Sequence, residues 1–180
     1  MDETPLRVLV AYATADGSTR GVAERVATRL REAGLAVDLR PAGPDVGAGG
    51  YDAVVVGSAV HSMRWLEPAR ELLGRLAAAG SGPPVWLFSV AGIHPRGRVT
   101  RWLARQEVQR VEQDLPRALH PRSHRLVAGV VRTRGVPLWG RLFYRAVGQR
   151  PGDHRDWPAI DAWARQVADG IAAGRPAGAR

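Results

Sequence analysis

Residues 12–27, "YATADGSTRGVAERVA", follow directly on the apolar run "LRVLVA" at 6–11. The apolar run reads as a buried strand. Val22, Val26 and Leu30, with Ala23 and Ala27, recur at helical spacing and mark one face of a helix from about 18 to 33. Gly34 ends that helix. Between strand and helix the chain places Thr14, Asp16, Gly17, Ser18 and Thr19. A loop of this kind has two uses. Asp16 or Ser18 caps the helix, or the hydroxyls and free amides are offered to an anion.

The same alternation continues downstream. "LAVDLR" (35–40) is a short strand, "PAGPDVGAGG" (41–50) a loop, and "DAVVVG" (52–57) a strand with little polar content, as expected when both sheet faces are covered. A helix over 66–79 turns Leu66, Ala69, Leu72, Leu73 and Leu76 inward, and "SGPP" breaks it. "VWLFS" (85–89) is a fourth strand. Residues 98–115 read as a helix with Ala104, Val108, Val111 and Leu115 on one stripe, and "RLVAGVV" (125–131) as a fifth strand. A short helix is expected at 137–147. The last helix spans 157–173, with Asp156 as its N-cap and Ile160, Trp163, Ala164, Val167 and Ile171 inward. Residues 174–180 are expected to fray. Strands alternating with helices imply one α/β domain over 1–180, an open parallel sheet with helices on both faces. Such sheets bind ligands beyond the carboxyl ends of their strands, which selects loops 13–19, 58–65 and 90–97.

The chain has 180 residues and no cysteine, which excludes disulfides, thiolate metal sites and a cysteine nucleophile. The start "MDETPLRV" shows no basic and apolar leader, and no stretch approaches the roughly 18 to 20 apolar residues of a spanning helix. The expectation is a cytoplasmic protein, or one touching the inner face of the membrane only at its surface. Net charge is +9 and every cation is arginine. The charge is uneven: residues 94–150 hold 13 arginines against 3 acids, while residues 1–93 hold 9 against 10. One basic segment implies an anionic partner on one face.

The first loop lacks both the G-x-G-x-x-G spacing and the lysine of a triphosphate loop. Three hydroxyls, one glycine and free amides at a helix start suit one phosphate monoester. The order hydroxyl-x-(Thr/Asp)-Gly-x-Thr, met by Thr14, Asp16, Gly17, Ser18 and Thr19, resembles the FMN-phosphate loop of the flavodoxin family. The resemblance implies a flavodoxin-like three-layer sandwich with a five-stranded parallel sheet of order 2-1-3-4-5, and FMN as cofactor. It places Thr14, Ala15, Asp16, Gly17, Ser18 and Thr19 around the phosphate. Around the ring it places Ser58, Ala59, Val60, His61 and Trp65, then Ser89, Val90, Ala91 and Gly92. Trp65 or His61 would supply a flat neighbour for the ring; the other reading packs Trp65 on the helix that begins at Leu66. Asp16 departs from the commoner threonine, so its carboxylate should point away or cap the turn, and Arg20 could offset its charge.

The back half is more particular. "GVVRTRGVPLWGRLFYRAV" (129–147) and "RDWPAIDAWARQVADGI" (155–171) resemble the C-terminal region of menaquinone-dependent protoporphyrinogen dehydrogenases, flavodoxin-like enzymes with an insertion before the last strand. The insertion here is the basic segment 94–122. The resemblance implies electrons passing from a porphyrinogen-like substrate through FMN to a quinone, with Arg96, Arg98 and Arg101 as candidates for substrate carboxylates. Residues 137–147 form a basic amphipathic pattern that either packs on the core or lies on an anionic membrane. Two other readings stay open: an electron carrier without its own substrate, and a binding module that has lost FMN. Nucleic acid is disfavoured, since no basic–aromatic interleaving or reading helix accompanies the charge. His61, His94, His120, His124 and His154 are scattered and read as surface or loop residues, without metal-ligand spacing. There is no G-x-S-x-G elbow.

Overall fold

A computed structural model describes residues 4–91, 102, 106, 109–116, 118–131 and 152–174. The main strands are β1 (Arg7–Ala13), β2 (Ala36–Pro41), β3 (Ala53–His61), β5 (Val85–Ala91) and β6 (Ser123–Ala128). They form a parallel sheet in the order β2-β1-β3-β5-β6. A two-residue strand, β4 (Arg64–Trp65), pairs antiparallel with β3 off this path. Leaving β4 aside, this is the expected order 2-1-3-4-5 and the expected flavodoxin-like sandwich.

Helices α1 (Ser18–Glu32) and α3 (Trp157–Ala173) cover one face, and α2 (Glu67–Ala78) covers the other. The alternation along β1 shows why. Val8 and Val10 point into the layer with Val22, Val26, Leu30, Val167 and Ile171, while Leu9 and Ala11 point to the layer with Leu72, Leu73 and Leu76. β5 is buried at every position. Each fully buried Val or Leu contributes about 1.5–3 kcal/mol, so the two apolar layers are the main source of stability.

Two side-chain arrangements fix the α1/α3 layer. Phe88 is wholly buried and meets Trp163 edge-on, with ring centroids 5.8 Å apart. Asp161 of α3 receives a two-pronged contact from Arg25, at 2.7 Å to each oxygen, and a third bond from Arg29 at 2.7 Å. These hydrogen bonds, from Arg25 and then Arg29, hold the Asp161 carboxyl well below the usual carboxylate range, against the opposing effect of burial.

Several expected boundaries move. β3 continues to His61 and β5 to Ala91, because their neighbours pair with them to those points. The expected strand 125–131 is divided. β6 ends at Ala128. Gly129 donates its N–H to the Ala91 carbonyl at 2.8 Å and accepts from His154 N–H at 3.2 Å. Val130–Val131 (β7) then pairs antiparallel with Gly152–Asp153 (β8). Asp156 caps α3 as expected, its side chain accepting from the Ala159 N–H at 3.0 Å. Residues 109–114 are helical, with Val111 buried and Leu115 half-buried beyond them. The stripe positions Ala104 and Val108, the 137–147 helix and all but Gly174 of the tail lie outside the described residues. Among the described residues no helix is long and apolar enough to cross a membrane.

Candidate functional site

The ends of four strands meet at the carboxyl edge of the sheet, beside the switch from β1 to β3. Ala13 lies opposite Ser58, Ala59 opposite Val90, and Ala91 opposite Ala128. This brings the ends of β1, β3, β5 and β6 to one rim, the position where open α/β sheets take ligands.

The first loop is built from its own residues. Thr14 Oγ1 accepts the Gly17 N–H at 2.9 Å and folds the loop back on itself. Gly17 then sits at φ 86°, a left-handed conformation that strains any residue with a Cβ by about 1–2 kcal/mol. From there α1 starts without a side-chain cap and with no acid in its first turn. The helix-capping alternative for Asp16 and Ser18 is therefore not what the structure has. Asp16 is exposed and Ser18 half-buried. The amides of Ser18, Thr19 and Arg20, at the first positions of the helix, have no intrahelical acceptor. Thr19 is fully buried, and its Oγ1 has no hydrogen-bond partner among the described residues. An orphan hydroxyl of this kind costs about 1–3 kcal/mol unless something satisfies it. Open amides, a helix dipole and an unpaired buried hydroxyl at one helix start fit a small anion such as a phosphate. Arg20 is not the offset for Asp16: its Nε bonds Glu24 one turn on, at 2.8 Å.

The second loop differs from its expected form. Val60 pairs with Trp65 and His61 with Arg64, leaving a two-residue turn at Ser62 and Met63. Both have positive φ, 51° and 61°, the pairing that tight hairpins require. The turn lacks the Asn-Gly or Asp-Gly that normally marks such a hairpin, so nothing in the sequence advertised it. Its tip is exposed, with His61 and Met63 outward. Its base is fixed. Asp114 forms ion pairs with Arg64 at 3.0 Å and Arg70 at 2.8 Å, and Arg64 holds the Asp114 carboxyl below its ordinary range.

Trp65 is a correction. It is 3 % exposed and packs in the layer with α2, so it is a core residue and no flat face open to a ring. Its Nε1–H donates to Ser89 Oγ at 2.7 Å. Ser58 is likewise turned inward: its Oγ donates to the Ala59 carbonyl and accepts the Leu66 N–H at the start of α2. Of the second-loop residues, Ala59 and Val60 are half-buried and His61 is exposed.

Ser89, Val90 and Ala91 are buried strand residues, leaving the backbone at the end of β5 as their share of the rim. Gly92 and the substrate candidates Arg96, Arg98 and Arg101 lie outside the described residues. His124 is a second correction. Its side chain is only 6 % exposed; Nε2 lies 2.8 Å from Ser89 Oγ and Nδ1 lies 3.3 Å from Glu112 Oε1. Since Ser89 accepts from Trp65, its hydroxyl hydrogen is free to go to Nε2, leaving the imidazole proton on Nδ1 facing Glu112. Burial pushes the His124 pKa down, with Glu112 partly opposing. The row Ser89–His124–Glu112 has the connectivity of an acyl-transfer triad, but Ser89 is wholly buried and its oxygen is already engaged by Trp65. It therefore braces the second loop from behind. Among the described residues no group of three metal-ligating side chains comes together.

The flavodoxin domain profile matches residues 9–156 of the chain. No curated protein matches it in sequence. Among solved structures, a flavodoxin from the domain Archaea is 14% identical, with 93% of this chain and 99% of that chain covered at a TM-score of 0.56. Oxidised flavodoxin 2 from Bacillus cereus is 15% identical, with 93% and 98% covered at 0.58. Rubredoxin oxygen:oxidoreductase from Desulfovibrio gigas is 15% identical at 0.58, covering 94% of this chain and 37% of that one. At these identities the structural likenesses speak for the fold alone, and the family rests on the profile, which spans most of the sequence. The chain belongs to the flavodoxin domain family.

Proposed function

We propose that the chain holds FMN at the carboxyl rim of its sheet and serves electron transfer. The observation that carries this reading is the uncapped start of α1 with the orphaned, buried Thr19 hydroxyl. Thr14 and Gly17 shape the loop, and the Ser18 and Thr19 hydroxyls with the first amides of α1 hold the phosphate. Backbone groups of Ala59, Val60 and His61 and the end of β5 flank the ring, with the exposed His61 as the remaining flat neighbour now that Trp65 is committed to the core. When bound, the flavin supplies one- and two-electron redox chemistry, and the chain's own residues bind it and limit its access to water.

The finer reading is an oxidoreductase that passes electrons from a porphyrinogen-like substrate to a quinone. It is supported by the resemblance of 129–147 and 155–171 to protoporphyrinogen dehydrogenases and by the arginine surplus over 94–150. On this reading Arg96, Arg98 and Arg101 pair with substrate carboxylates, and the basic 137–147 segment meets the anionic membrane surface where a quinone resides.

The loop assignment is tested by replacing both hydroxyls, Ser18→Ala with Thr19→Ala, and titrating FMN by fluorescence quenching. The expected result is an affinity loss of about tenfold or more, one to two charge-assisted hydrogen bonds' worth. An unchanged affinity removes these hydroxyls from the phosphate site.

A further inference from the structure

Arg155 stands at the site although 134 residues of sequence separate it from Gly21. Asp153 grips it: Nε lies 2.9 Å and 3.1 Å from the two carboxylate oxygens and Nη2 lies 2.6 Å from one of them. The Arg155 backbone N–H also donates to Asp153, and the guanidinium lies over the Trp157 ring at 4.5 Å. The side chain is only 18% exposed. The remaining nitrogen, Nη1, has no acceptor among the described residues, and it is pressed against α1. A Cβ added at Gly21 would fall 2.5 Å from it. Gly21 lies one turn from Gly17, its N–H donating to the Gly17 carbonyl at 3.2 Å, so it shares the face of α1 on which the loop closes. The neighbouring backbone occupies the same place. His154 N–H bonds the Gly129 carbonyl, and a Cβ at Gly129 would lie 3.6 Å from Ser18 Oγ. Residues 129 and 153–155 thus wall the first turn of α1, where the buried Thr19 hydroxyl independently calls for a ligand.

We propose that Arg155 is a further ligand-binding residue, whose Nη1 edge donates to the phosphate monoester seated at the first turn of α1. This rests on the FMN reading above. A phosphate monoester brings a charge of about −1.5 to −2, against about half a positive charge from the helix dipole. The nearest arginine in sequence, Arg20, is engaged with Glu24. A guanidinium fixed by Asp153 and Trp157 shares its charge with Asp153 but offers Nη1 as a charge-assisted donor already oriented, with little side-chain freedom left to lose on binding.

The test compares FMN with riboflavin, which has the same ring and no phosphate. Both are titrated into the wild-type protein, Arg155→Gln, Arg155→Lys and Gly21→Ala, with far-UV circular dichroism confirming each fold. Arg155→Gln should weaken FMN about tenfold while riboflavin changes less than about twofold, and Arg155→Lys should recover part of the loss. Gly21→Ala keeps Arg155 and its Asp153 partner but displaces Nη1, and should show the same selective loss. It decides the matter if Arg155→Gln fails to fold. Unchanged FMN affinity in the folded variants, or equal losses for both flavins, would overturn the assignment to the phosphate. Wild-type protein that binds neither flavin would overturn the FMN reading itself and this assignment with it.

Discussion

Gly57→Ala is expected to lower the melting temperature by about 6–12 °C. Gly57 and Phe88 are register partners on β3 and β5, so their side-chain directions coincide. A Cβ at position 57 would overlap the edge of the Phe88 ring, at Cζ, Cε1 and Cε2. Phe88 has little room to move: it is fully buried and packs edge-on against Trp163. Overpacking of this kind costs about 3 kcal/mol. The control is a second variant that gives the ring's space back. In a Phe88→Leu background the same Gly57→Ala change should cost less than about 1 kcal/mol, a coupling that a double-mutant cycle reads directly. Equal costs in both backgrounds would mean that the close approach is not what position 57 requires.

Asp161→Asn is expected to cost about 2 kcal/mol at neutral pH, or about 4–8 °C in melting temperature, and to change the response to acid. The carboxylate joins α3 to α1 through Arg25 and Arg29, and its loss leaves two guanidinium groups facing each other without an anion between them. The figure stays below that for a fully buried pair because Arg25 is 38% exposed. The sign with pH follows from the depressed native pKa. Above the ordinary aspartate value of about 3.9 the carboxyl is ionised in both states and its stabilisation is complete. Below that value the unfolded chain takes up the proton first, and the stabilisation declines as pH falls toward the native pKa. The melting temperatures of wild type and variant should therefore converge as the pH drops from 5 toward 2, a range taken from about one unit above that ordinary value downward. A gap that stays constant over this range would rule out the ion-pair origin.

The helices and strands that were legible in the sequence share one property: their burial is decided locally. β1, β3 and β5 are covered on both faces and so appear as unbroken apolar runs. The stripe Val22, Val26 and Leu30 and the stripe Ile160, Trp163 and Val167 each face one sheet layer. The turn between β1 and α1 was legible for a similar reason, since Thr14, Gly17 and Thr19 lie within six residues of one another. What escaped depends on partners far apart in the chain. Trp65 turned out to be core because Ser89 takes its N–H, and His124 is buried because Ser89 and Glu112 satisfy both ring nitrogens. Arg20 adjoins the loop in sequence and could offset Asp16, yet Glu24 lies at the favourable i,i+4 spacing and claims it. Gly129 ends β6 within an apolar run, because its N–H and carbonyl are drawn to Ala91 and His154. Arg155 became visible only when the fold laid residues 153–157 against α1.

The most direct test of FMN binding is the visible absorption spectrum of the purified protein, taken before and after incubation with FMN and passage through a desalting column. Flavin bands that travel with the protein, shifted from those of free FMN, are the result expected. A protein that leaves the column colourless after saturating incubation would contradict the claim, and the uncapped start of α1 would then need another anion to explain it.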